Sequence, residues 1–398
     1  MLVRPTSAFR ITLIFLAAFA LSVLPFKEVA NAHAYSAAYN TLNLTKEQTE
    51  MTFSLDELSV IELAAGDIDE NKMLDEGEFD AVKNKMLDIL QKNIILKIGG
   101  EPQAWSEIES FVLIRQGDAS KMALTVIYPP VTASQSISLT DNLYKEDSKT
   151  NYVDLLTVNY GTQKSTSALS ANNRTWVLQL MDAEYSGLPQ NLSEQADAAP
   201  ADPAAASEQR ENGGGAMSGW FSFFTLGMHH ILGGYDHLLF LFSLLIARQT
   251  FKQYATMITA FTLAHSLTLT LTVLGILHVS PKLVELGIAL SICYVALDNI
   301  IRQNVSHRWV LTFLFGLIHG MGFADILKEM DIPKKEMAVD LISFNLGIEA
   351  VQITIVAVLI PLLALLHRYK YARQYVLAGS GVALVLGGVW LFERAFTG

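Results

Sequence analysis

Five of the nine histidines in this 398-residue chain stand inside apolar runs, two of them adjacent and a third seven residues on, in MHHILGGYDH from Met228. Imidazole and carboxylate together are ligands for divalent transition metals. An ionisable group at membrane depth is costly, so it normally faces a bundle interior and marks an ion path, a proton relay or a reaction site. The candidate metal ligands are His229, His230, Asp236 and His237 in the first apolar segment, with His265 in FTLAHSLTLTLT, His319 in FGLIHGMGFAD and Glu349 in FNLGIEAVQ. On a straight helix His230 and His237 share a face but stand roughly 10 Å apart along the axis, too far for one ion with bonds of about 2 Å. Gly233 and Gly234 between them are therefore assigned as a hinge, with the remaining ligands supplied by other helices. Nickel, cobalt, zinc and copper suit this donor set equally well, and the ion is expected as substrate, with no tightly bound cofactor. No catalytic residue is assigned.

Two further groups could hold a cation. DIDENKMLDEGE places Asp67, Asp69, Asn71, Asp75 and Glu78 at ligand positions of a twelve-residue calcium loop, with the Met73 carbonyl completing the set. Lys72 stands where that loop requires glycine. His33 would be the first residue after removal of a signal peptide and would offer an α-amine and an imidazole to copper or nickel.

The elements that must position these residues follow from the patterning. Residues 1–32 have the basic start, apolar middle and small-residue end of a signal peptide. Residues 33–185 alternate apolar and polar in short runs such as EMTFSL, MALTVIYPP and VDLLTVNY, which predicts a β-rich, sandwich-like extracytoplasmic domain. An EF-hand-like helix-loop-helix interrupts it around residues 67–78. Residues 186–218 are rich in Ala, Pro, Gly and Ser and predict a flexible linker. Residues 219–398 predict a polytopic α-helical membrane bundle of about six spans, near 220–247, 251–276, 282–301, 308–327, 338–366 and 374–393. Arginines of alternate loops then face the cytoplasm and the C-terminus lies on the outer side of the plasma or inner membrane. The net charge of −11 is concentrated before residue 218, so nucleic acid is excluded as a partner, while a metal ion, the bilayer and a homo-oligomer are admitted. The single cysteine, Cys293, excludes an internal disulfide and reads as a small core residue.

Taken in order, GMHHILGGYDHLLFL, FTLAHSLTL, FGLIHGMGFA and FNLGIEAVQ resemble the HupE/UreJ family of hydrogenase and urease accessory membrane proteins, regarded as nickel permeases. The resemblance covers about residues 220–395 and implies metal-pathway roles for His230, Asp236, His237 and His319. His265 and Glu349 are added from composition alone. The large outer domain, and His-His-Ile where the compact members tend to have His-Pro, place the chain nearer a longer branch. Two other functions are weighed: an intramembrane zinc hydrolase at the same histidines with Asp236 or Glu349 as general base, and a calcium- or metal-responsive sensor or scaffold in which the acidic loop and the outer domain do the recognising and the bundle is an anchor, which leaves the intramembrane histidines unexplained.

Overall fold

The computed structural model describes residues 36–69, 71–116, 119–147, 151–197, 214–302, 308–328, 334–368 and 371–396. The expected signal peptide and His33 lie outside these residues. The chain forms two compact units, one built from residues 33–229 and 326–347, the other from 230–325 and 348–398.

The first unit contains β1 (Ser36–Leu44), β2 (Thr49–Asp56), α1 (Glu57–Ala64), α2 (Glu76–Asn93), β3 (Ile94–Ile98), β4 (Glu101–Pro102), β5 (Glu107–Gln116), β6 (Ala119–Tyr128), β7 (Ser136–Asp141), β8 (Tyr152–Tyr160), β9 (Gln163–Ser170), β10 (Thr175–Gln179), α3 (Asp182–Ser186) and α4 (Leu192–Asp197). One sheet has the order β5-β6-β2-β1-β8-β9 and the other β10-β7-β3-β4. All pairings are antiparallel except β1 with β8. Period-2 alternation does what the sequence implies in β2, where Met51, Phe53 and Leu55 are buried and their neighbours are not. Both sheets line a single core, to which α2 adds Phe79, Val82, Met86 and Leu90 at helical spacing.

Four strands, β1, the two-residue β4, β7 and β9, fall outside the runs the alternation singles out. β9, QKSTSALS, is the clearest case: it has almost no apolar residue, yet its last six residues are buried. It is an edge strand, and Ser222 from a helix beyond the linker lies on it, accepting the Ala168 N–H at 3.1 Å. Covering an edge with a helix is a common way to keep it from pairing elsewhere. The segment expected as linker starts as part of the same unit: Leu188 is buried, and the Lys46 N–H donates to the Pro189 carbonyl at 3.0 Å.

The membrane half contains α5 (Gly214–Gly233), α6 (Tyr235–Leu245), α7 (Phe251–Val273), α8 (Pro281–Ile301), α9 (Arg308–His319), α10 (Ala324–Lys328), α11 (Lys334–Leu366) and α12 (Ala372–Phe396). Four helices, α7, α8, α11 and α12, are long and apolar enough to cross a membrane by length and composition. The expected first span is divided between α5 and α6, and the expected fourth between α9 and α10. Glycine permits the close crossing of α7 by α9, because a Cβ on Gly316 would come within 2.7 Å of the Phe261 carbonyl oxygen. Large apolar side chains such as Leu263 and Val358 point outward, as a lipid-facing surface requires. At one end of this unit Arg308, almost fully buried, pairs with Asp298 at 2.9 Å and also bonds the Asn299 side chain, while the Arg373 guanidinium takes the carbonyls of Asn299 and Ile300. Those carbonyls close the C-terminus of α8, where cationic donors are favoured.

Candidate metal centre

The site begins with a broken helix. α5 stops at Gly233, Gly234 leaves helical geometry at φ −81° and ψ 88°, and α6 restarts at Tyr235. The Gly234 N–H still bonds the His230 carbonyl at 3.1 Å, so the break is a tight offset. It brings the His230 and His237 rings to 4.7 Å between centroids, less than half their separation on a straight helix. A side chain at Gly234 would come within 2.9 Å of the His237 Nδ1.

His265 arrives from the middle of α7, with its ring 6.0 Å from His230 and 6.2 Å from His237. Ligand nitrogens of these three residues lie within 4.8 Å of one another, and all three side chains are buried. A tetrahedral ion with bonds of about 2.0–2.1 Å would hold its donors roughly 3.4 Å apart, so small rotamer shifts close the set. His319, from the last turn of α9, stands 5.0 Å from His237. The Ser291 hydroxyl from α8 donates to the Ile288 carbonyl at 2.6 Å and lies 2.9 Å from His319 Nε2. With its one proton on Ile288, Ser291 accepts from Nε2–H, which leaves the His319 Nδ1 lone pair available. That Nδ1 and the Nε2 of His237 are buried and have no hydrogen-bond partner among the described residues, which suits a cation entering the group.

Aromatic rings wall the histidines off from water. Phe240 lies 4.8 Å and Phe261 5.3 Å from His319, and Phe323 4.7 Å from His230. A cavity of about 10 Å³ adjoins His237, lined also by Ile231, Phe240, Phe261 and Gln352, and has room for about one water. Gln352 accepts the Thr262 hydroxyl at 3.0 Å, so one amide joins α7 to α11 beside the cavity.

The proposed carboxylates do not join the histidines. Asp236 precedes His237 by one residue, about 100° around the helix, and its carboxylate pairs instead with Arg394 of α12 at 2.6 Å. Glu349 is half-buried on α11, and His229 half-buried on α5; neither is in the group whose ligand atoms converge. Ser291, Arg394 and the three phenylalanines were not singled out in the sequence. A lone serine in an apolar helix carries little signal, whereas a charged LFERAF at the end of the last span could have flagged Arg394.

In the first unit, Asp67, Asp69 and Glu78 bring carboxylate oxygens within 4.8 Å of one another. Asp67 accepts the N–H of Asn71 and Lys72, Asn71 accepts that of Met73, and Asp75 caps α2 through the Glu78 N–H. Lys72 adopts φ 63°, the left-handed conformation that suits glycine. A second carboxylate group is fully buried: Asp141 accepts the Tyr152 hydroxyl at 2.6 Å and the Leu143 N–H at 2.7 Å, beside Asp154. Burial, only partly offset by these donors, raises Asp141 to about 6. Burial and the neighbouring Asp141 charge push Asp154 well above the usual carboxylate range.

Residues 207–394 match the family model described as HupE / UreJ protein. Over these residues the chain is similar to the HupE/UreJ family. A search of the curated proteins found no match. The family match spans α5 to α12, and with four helices apolar enough to cross a bilayer it makes the chain a membrane protein.

Proposed function

We propose that this HupE/UreJ-like protein is a facilitator that carries a divalent transition metal across the membrane, nickel or cobalt first by family, with zinc and copper sharing the donor chemistry. The observation that supports it is the convergence of His230, His237, His265 and His319 from four helices on one buried point at a broken helix. Imidazole nitrogens are suitable donors for a divalent transition ion, and a conducting path requires that the ion bound there can also leave. On this reading α5 with α6 forms the first of six spans, α9 with α10 the fourth, and both the β-rich domain and the C-terminus lie outside the cell membrane. His33 and the acidic loop would then be outer sites for copper or nickel and for calcium in the millimolar range.

The experiment is uptake of nickel and cobalt into liposomes by the wild type and by His230→Ala with His237→Ala. Loss of at least nine-tenths of uptake in the double variant is expected; unchanged uptake removes the proposal. A second reading, intramembrane hydrolysis at a zinc ion, draws on the three-histidine set, which is also a zinc-enzyme donor set. Its general base is less well provided, because the nearest carboxylate in sequence, Asp236, is held by Arg394. Stoichiometric zinc retained through chelation, with no uptake, would favour it.

A further inference from the structure

A divalent ion among neutral imidazoles in a low-dielectric bundle brings two uncompensated charges, and an anion close by lowers the cost sharply. The carboxylate adjoining His237 in the chain is Asp236, and it is already committed. Arg394 Nη2 bonds its Oδ2 at 2.6 Å, Nη1 donates to the Glu285 carbonyl at 3.2 Å, and Nε lies 4.0 Å from the Glu285 carboxylate. This pair differs from the buried pair Arg308–Asp298 of the same unit. Arg308 and Asp298 are 3% and 9% exposed, as befits a fixed tie between helices, whereas Arg394 and Asp236 are 18% and 22% exposed and so accessible to exchange. Arg394 is carried on the last turn of α12.

We propose that Arg394 is a positioning residue that stands in for the metal at Asp236: it neutralises the carboxylate when the histidine site is empty and yields it to the incoming divalent cation. The proposal rests on the metal reading above. The competition weakens binding, because the ion must displace a charge-assisted contact before it gains its own counter-charge. It also shuts Asp236 away from a second, stray cation. Release is favoured in the same way, since the guanidinium reclaims the carboxylate as the ion departs.

The test is equilibrium binding of nickel alone and cobalt alone to the full-length protein in nanodiscs, for wild type, R394Q, R394K and each combined with D236N. R394Q is expected to tighten binding at least tenfold, and R394K to fall between it and the wild type, because a single ammonium lacks the planar fork. D236N is expected to cancel both gains. A simple tie between helices would instead lower the melting temperature and leave affinity unchanged or weaker. Equal or weaker binding by folded R394Q overturns the proposal, as does a gain that survives D236N. Should R394Q not fold, R394K with and without D236N is judged by the same criterion. Failure of the wild type to bind either metal overturns the metal reading together with this one, whereas wild-type binding indifferent to Arg394 overturns this one alone.

Discussion

Lys72 is a residue whose type and conformation disagree. It holds φ at 63°, which a side chain with a Cβ adopts at a cost of about 1 kcal/mol, and it does so because Asp67 captures its N–H at 2.9 Å. Lys72→Gly is therefore expected to raise the melting temperature of the protein by a few degrees in calorimetry, and calcium at millimolar concentration to add more to the variant than to the wild type. A variant that melts lower would show that the lysine contributes something the backbone conformation does not reveal. At this scale the histidines were legible from their type and place, since an imidazole in an apolar run has few other reasons to be there. Asp236 stands outside the converging ligand atoms for a geometric reason: one residue is about 100° of helix, and that rotation turns the carboxylate to Arg394.

The break between α5 and α6 belongs to the scale of elements. The pair Gly233-Gly234 announced it, but only the folded chain shows that Gly234 alone leaves helical geometry while its N–H stays bonded to His230. Gly234→Ala would place a methyl group 2.7 Å from the His230 carbonyl and 2.9 Å from the His237 ring, and one of them must move. Expected is a loss of nickel affinity of at least tenfold by calorimetric titration with helical content preserved in circular dichroism; affinity equal to wild type would mean that the offset is not what brings the two rings together. Among the strands, β2 was legible because its alternation is its own, and β9 was not. Ser165, Thr166 and Ser167 are buried by what covers them, including the Asp340 carboxylate that takes the Thr166 hydroxyl at 2.9 Å, and no pattern within the strand encodes that cover.

At the scale of the whole molecule, Asp141 and Asp154 tie the stability of the β-rich unit to pH. Burial holds their protons to a higher pH in the folded protein than in the unfolded chain, where a carboxylate titrates near 3.9. The folded state therefore binds more protons up to about pH 6, and stability falls as pH rises through that value. The wild type is expected to melt several degrees higher at pH 5 than at pH 8, with the dependence flattened in Asp154→Asn, read by calorimetry; identical pH profiles would exclude the pair as its source. By itself the sequence determined that an acidic, β-rich region precedes an apolar helical one, and that histidine chemistry is confined to the second, because composition and periodicity are local properties. The tertiary structure decided which histidines meet, which tautomer Ser291 imposes on His319, and that Asp236 answers to Arg394. Those depend on rotation about helix axes and on residues 28 and 158 positions apart in the chain, where no local spacing carries information.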